Sequence, residues 1–275
     1  AQELTGPYMM GDPIAMRDYE DLASRLEIST ALSDRVVALS QMIKGLAFYA
    51  IREYPEAQKE FSLAETIENW EPSEGKEILY LFLGNSVIRE EDADLDTAQL
   101  YFQKALEIRP DYSRAMIGLA NVKYRMALAP VTKSNDPADA DEELLQEAVD
   151  LLTAAAQSSN QPPLADVPTK THFELGQCYF MLTYSGHLDT YALATSEFKQ
   201  VIADYGDGAN PRVKERAAEA YARMGLILAL SGDTDAAIQN YQTAAEMTDD
   251  NPERQAIFLE RIQKLQSDQS MDGGN

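Results

Sequence analysis

Reactive side chains are scarce in this chain. Its 275 residues include one cysteine, Cys178, and two histidines, His172 and His187. A single thiol excludes an intramolecular disulfide, and its place in the apolar run FELGQCYFML points to a buried, inert group. The two histidines lie 15 positions apart (172 to 187) with no third ligand close by, which is not the spacing of a metal site. Also missing are G-x-S-x-G, G-x-x-x-x-G-K-S/T, H-E-x-x-H and any cysteine pair. These absences remove the usual routes to nucleophilic, phosphoryl-transfer and zinc chemistry, so no catalytic residue, cofactor or metal is expected.

Positive charge is in deficit as well. Lys and Arg number 23 against 46 Asp and Glu, a formal net charge of −23 with a pI near 4.3. Binding to phosphate backbones or anionic lipid surfaces needs clustered basic residues, so nucleic acid is excluded as a direct partner and a membrane surface is disfavoured. The acidic excess solvates outer faces and suits a basic partner. No run of 18 apolar residues is present, so the chain contains no membrane-spanning segment.

What the chain does have is recurrence. In the stretch from Ala218 to Pro252, Tyr221, Met224, Gly225 and Leu228 recur at three- and four-residue steps and share one face of a helix. Ser231-Gly232-Asp233 ends that helix, Gly232 supplying the positive φ of the turn. Ala237, Tyr241 and Ala244 mark a second helix, with Pro252 just past its end. The same four-then-three spacing returns as Ala57/Phe61/Ala64, Ala98/Phe102/Ala105, Ala148/Leu152/Ala155 and Ala194/Phe198/Val201. Ahead of each stands a small residue following a long one: Lys44-Gly45, Leu83-Gly84, Leu119-Ala120, Leu175-Gly176 and Met224-Gly225. Small residues are needed where helix axes approach closely, and large ones fill the gaps between pairs.

This pattern resembles the tetratricopeptide repeat, a helix–turn–helix unit of about 34 residues. Tyr221, Gly225, Ala237, Tyr241 and Ala244 fall on its signature positions. Spacing inside helices is constant, whereas the distance between the small residue and the second-helix alanine varies. It is 12 in repeats one and five (45 to 57, 225 to 237), 14 in repeat two, 28 in repeat three and 18 in repeat four. Insertions therefore fall in loops, as stacked helices require. The resemblance implies an all-α, right-handed superhelical solenoid of five helix pairs, at about 38–72, 77–110, 113–163, 169–211 and 218–252. Residues 1–37 hold an N-terminal capping helix, and 253–275 hold a C-terminal one built on Ile257, Phe258, Ile262 and Leu265.

Several local features have specific readings. Asp12 and Pro13 start a helix reaching Ile28, whose Tyr19, Leu22 and Leu26 would cover an apolar face of Leu39, Met42, Ile43, Leu46 and Tyr49, the alternative being that this face is itself a partner site. That face belongs to a helix running from Ser33-Asp34 to about Tyr54. The acidic stretch Glu90–Asp96 lacks the glycine and the bidentate glutamate of a calcium loop and reads as a solvated turn, with Asp96 or Thr97 capping the next helix. Residues 129–144, APVTKSNDPADADEEL, read as a loop, and 158–168 as a hinge. His172 reads as a packing residue. Beginning at Ala1 with no signal-peptide core, the chain is expected to be an excised or processed piece, either an extracytoplasmic bacterial domain with its N-terminal signal or anchor removed or a cytoplasmic one.

In arrays of this family the first helices line a concave surface that holds peptides. The positions expected there are Asn85, Arg89, Arg114, Asn121, Tyr124, Arg125, Gln177 and Phe180, a polar and locally basic set in an acidic protein. Asn can clamp a peptide backbone and Arg a carboxylate. Where some relatives use Lys and Asn to grip a carboxylate terminus, repeat one has Met42 and Leu46, so that clamp is not carried over. The expected function is a non-enzymatic scaffold binding a basic or carboxylate-terminated protein or peptide on repeats two to four. The alternatives are self-association within a larger membrane-anchored or multidomain protein, or sensing of a small ligand.

Overall fold

A computed structural model describes residues 34–67, 75–158, 167–187, 189–205 and 211–272. Every regular element among them is helical. In chain order they are α1 (Asp34–Ala50), α2 (Tyr54–Glu65), α3 (Lys76–Val87), α4 (Leu95–Ile108), α5 (Ser113–Ala127), α6 (Ala129–Ser134), a 3-10 turn (Pro137–Asp139), α7 (Glu142–Gln157), α8 (Val167–Tyr184), α9 (Thr190–Tyr205), α10 (Pro211–Leu230), α11 (Thr234–Met247) and α12 (Pro252–Asp272). The chain divides into two compact blocks. One holds residues up to 126 together with 157–160, and the other holds 127–156 together with the chain from 161 onward. The division passes through repeat three.

In the first block α1 packs on α2, α2 on α3, and α3 on α4. In the second, α8 packs on α9, α9 on α10, α10 on α11, and α11 on α12. The five recurring triplets supply the core. Ala57, Phe61 and Ala64 are fully buried, as are Ala98, Phe102 and Ala105, and Ala194, Phe198 and Val201. Ala148, Leu152 and Ala155 are buried too, with Ala237, Tyr241 and Ala244. Burying each large ring contributes roughly 1.5–3 kcal/mol, and the small residues of the facing helix let the ring in. A Cβ placed on Gly45 would lie 2.5 Å from the Phe61 ring, one on Gly84 2.9 Å from Phe102, and one on Gly176 2.7 Å from Phe198. Gly118 also meets Phe102, so that ring is clasped by glycines of both α3 and α5.

The first helices of repeats one, four and five end in one recurrent motif. Gly232 (φ 85°) donates its N–H to Ala229 while Asp233 donates to the carbonyl of Leu228. Gly186 (φ 105°) and His187 do the same with Thr183 and Leu182. Repeat one uses Arg52 (φ 67°) and Glu53, bonded to Tyr49 and Phe48. This is the Schellman arrangement, normally closed by glycine. It corrects the expectation that the first helix reaches Tyr54. The helix stops at Ala50, and Tyr54-Pro55 opens α2 instead.

Three of the second helices begin on aspartate. Asp94 accepts from the Thr97 N–H (3.1 Å) and hydroxyl (2.7 Å), Asp141 from the Leu144 N–H, and Asp233 from the Ala236 N–H. These two Thr97 bonds hold the Asp94 carboxyl below the usual carboxylate range. The cap of α4 is thus Asp94 and not Asp96 or Thr97, because the helix already starts at Leu95. The insertion in repeat three is not wholly irregular. Pro130 opens α6, Asn135 closes it at φ 58°, Asp136 caps the 3-10 turn, and Asp141 N–H returns to the Ala127 carbonyl.

The C-terminal helix α12 begins at Pro252 behind an Asn251 cap, so Pro252 opens a helix as well as ending a repeat. Phe258 and Ile262 join Ala222, Ile238, Tyr241, Ala244 and Ala245 in one cluster. Arg254 forks onto Glu215 (2.6 Å) and Glu219 (2.8 Å) of α10. The opposite face, Ala256, Glu260, Gln263 and Ser267, is exposed and mostly polar, which suits a closing helix. The expected N-terminal capping helix lies outside the described residues, as does most of the 158–168 segment. Of the α1 face it was expected to cover, Met42, Ile43 and Leu46 are buried and Leu39 and Tyr49 half-buried, with Tyr49 edge-on to Phe82 at 5.1 Å. No helix among the described residues is long and apolar enough to cross a membrane.

Arg52 holds a left-handed conformation that costs an L side chain about 1–2 kcal/mol, partly offset by the greater unfolded-state entropy of glycine. Arg52→Gly should therefore raise stability by about 0.5–1 kcal/mol in urea unfolding. A loss of stability would show that the Arg52 side chain makes a compensating contact.

Candidate peptide-binding face

Six of the eight expected surface residues fall in the first block, on or just beyond α3 and α5. Asn85 and Arg89 are four residues apart at the C-terminal end of α3, and Asn121 and Arg125 repeat that spacing on α5. Residues four apart share a helix face. Arg114 lies two turns before Asn121, on the same stripe, and Tyr124 one turn after it. Asn85, Arg114, Asn121, Tyr124 and Arg125 are half-buried, and Arg89 is exposed. Between Ser113 and Ala127 no acidic residue occurs, while Arg114, Lys123 and Arg125 do. The single acid of α3, Glu77, is 6% exposed and so presents little charge to solvent.

The arginines are not equivalent. Arg125 donates from Nη1 to the carbonyl of Ile88 (2.9 Å), the residue that caps α3. A guanidinium there satisfies a terminal carbonyl and meets the negative end of the helix dipole. Arg125 thereby ties the first helices of repeats two and three together. Arg114 hydrogen-bonds the Tyr112 phenol. Burial pushes that phenol up to about 12, with Glu77 adding to the rise and Arg114 and Arg109 opposing it. Arg109 also lies over the Tyr112 ring at 5.0 Å and pairs with Asp111 at 3.5 Å. The polar face is therefore braced from beneath by a buried tyrosine and by one of its own arginines.

The other two expected residues lie in the second block. Gln177 is half-buried on α8. Phe180 is 6% exposed and belongs to the core with Ala194, Phe198, Val201, Ala220, Met224 and Ile227, its ring edge-on to Tyr184 at 5.3 Å. Phe180 thus packs inward instead of standing on an open face, because α10 closes over that side of α8.

Other groups behave differently from their sequence reading or escaped it. Cys178 is buried, and burial drives its thiol far above the usual range, as expected of an inert group. His172 is not simply packing; its Nδ1 lies 2.7 Å from Glu197 Oε2. Lys104 pairs with Glu65 at 2.8 Å and lies 5.1 and 5.4 Å from the Tyr80 and Tyr101 ring centres, fastening α4 to both α2 and α3. No sequence motif announces either cluster, since the partners are 25 and 39 positions apart. Among the described residues no group of three His, Cys, Asp or Glu is placed to hold a metal ion.

Paired helices, glycine-to-ring contacts and repeated turns define a helical-repeat protein. Residues 218–251 match the family model of the tetratricopeptide repeat, and the chain has the fold of tetratricopeptide-repeat proteins. Its structure is similar to that of a thermophilic tetratricopeptide-repeat protein of Thermus thermophilus, TTC0263, with a TM-score of 0.53 at 17% identity over 81% of this chain and 97% of that one. It is also similar to a chain of the APC/C hetero-tetramer Cut9–Hcn1, with a TM-score of 0.50 at 14% identity, covering 94% of this chain and about half (48%) of that one. No curated protein matches this chain in sequence.

The two exposures predict different mutational costs. Arg125→Gln removes a charge-assisted bond from a half-buried helix end and should cost about 1–2 kcal/mol. Arg89→Gln, at an exposed position, should change stability by less than about 0.5 kcal/mol. Equal costs in chemical denaturation would contradict the bracing role of Arg125.

Proposed function

We propose that this chain is a non-enzymatic scaffold that binds an extended protein segment or peptide on the first-helix surfaces of repeats two to four. The observation that carries this reading is the doubled Asn–Arg pattern. Asn85/Arg89 and Asn121/Arg125 stand at matching positions on consecutive first helices, tied by the Arg125–Ile88 bond. An amide offers one donor and one acceptor to a peptide unit, so two amides at repeat spacing suit an extended backbone. Arg89, exposed beside them, suits a carboxylate of the ligand. Helix α5, free of acids, offsets locally the repulsion that a −23 chain exerts on such a group. Gln177, on a first helix of the other block, offers the same amide chemistry.

The test begins with selection of binding peptides from a random display library against the whole chain. Calorimetry would then compare wild type with Asn85→Ala/Arg89→Glu, with Asn121→Ala and with the second-helix control Gln103→Ala. The first two changes should weaken binding about tenfold or more, and the control should leave it unchanged. Selected peptides that bind the first two variants undiminished, or that lose affinity only with Gln103→Ala, would move the binding surface elsewhere.

A further inference from the structure

We infer that the His172–Glu197 pair makes the packing of α8 on α9 sensitive to pH, an imidazolium clamping the two helices in mildly acidic solution and losing its charge as the solution turns alkaline. The pair bridges the two helices of repeat four at 2.7 Å, with His172 31% and Glu197 22% exposed. It sits next to the contact on which the repeat depends. Phe173, the following residue, meets the Phe198 ring edge-on at 6.0 Å, and Phe198 follows Glu197. Gln177, a residue of the proposed binding surface, is five positions further along α8.

The surroundings are predominantly acidic. From α9, Glu197 and Asp204 both act on His172, and Asp204 is also bonded by Thr169 (3.4 Å) and Gln200 (2.7 Å). From α7, Asp150 acts with Glu197 on Tyr179 of α8. On α8 itself Lys170 is turned to Glu174 at 3.9 Å. From α10, Lys214 pairs with Asp249 and Asp250, while Glu215 and Glu219 pair with Arg254. Asp139 of the 3-10 turn is exposed. The hydrogen bond to Glu197 raises the His172 pKa above its ordinary value, more than burial lowers it. A raised folded-state value means the contribution is fully present below the unfolded imidazole value of about 6.5. It is lost as pH rises through the folded value, when the ion pair becomes a neutral hydrogen bond.

His187 faces Glu142 at 3.4 Å, and both are about half exposed (51% and 50%). NMR titration of the imidazole signals of the whole chain from pH 5 to 9, assigned with His172→Gln and His187→Gln, reads both groups. His172 should titrate above about 6.5, and Glu197→Gln should lower its midpoint. Amide exchange in α8 and α9 should be several-fold faster in Glu197→Gln than in wild type at pH 6, the gap closing by pH 9. A wild-type midpoint at or below about 6.5, or one that Glu197→Gln leaves in place, would overturn the inference, as would an exchange gap equal at both pH values. The wild-type titration decides even if the variant folds poorly.

Discussion

An aromatic ring lying where a neighbouring helix has no side chain is the contact on which the rest of this molecule depends. Phe61 fills the space over Gly45, Phe102 the space over Gly84 and Gly118, and Phe198 the space over Gly176. Tyr241 meets Gly225 less tightly, at 3.1 Å from a notional Cβ. Each contact brings two helices close enough for their alanines to be fully buried, and a buried ring without such a gap would force the helices apart. Because the contact involves only helices that pack side by side, the chain between them can lengthen without disturbing it. Repeat three tolerates α6 and a 3-10 turn where repeat one has a turn of a few residues.

That local rule determines what the first helices can present. In α3 and α8 the glycine faces the second helix of the pair, so the residue after it, about 100° further round, turns away from that contact. Asn85 follows Gly84, Asn121 follows Ala120 and Gln177 follows Gly176, and all three are half-buried polar amides. Arginine four residues on from each asparagine then falls near a helix end, where Arg125 satisfies the Ile88 carbonyl and Arg89 remains exposed. One side-chain type thus serves two purposes, architectural in one helix and available in the next. The general charge of the chain is strongly negative, yet the acids concentrate in loops, caps and second helices, and α5 carries none.

Much of this was legible in the sequence because it depends on short-range periodicity. The spacing of Ala, Phe and Ala within a helix identified fifteen core positions, and all are buried. The Gly232 turn and the inert Cys178 follow from equally local chemistry. Features that depend on where a helix starts are less legible. Asp94, Asp96 and Thr97 are all competent caps, and only the start at Leu95 selects Asp94. Arg52 disguised the end of α1 because its turn is one that glycine normally marks. Pro130 and Asn135 punctuate a short helix in a segment whose composition reads as loop. Features that depend on a third helix were not legible at all. Phe180 occupies a first-helix position expected to face a ligand, but Ala220, Met224 and Ile227 of α10 close over it. The His172–Glu197 bridge and the Lys104 cluster join residues from different helices with no shared motif.

The most direct measurement of the ring-into-gap contact is a double-mutant cycle on Gly118 and Phe102, read by equilibrium unfolding. Alanine is favoured over glycine inside a helix by about 1 kcal/mol, so Gly118→Ala would stabilise α5 if nothing opposed the new methyl. The account predicts the reverse: Gly118→Ala destabilises the chain, and in a Phe102→Leu background that cost shrinks by at least about 1 kcal/mol. A Gly118→Ala variant as stable as wild type, or a cost identical in both backgrounds, would contradict it.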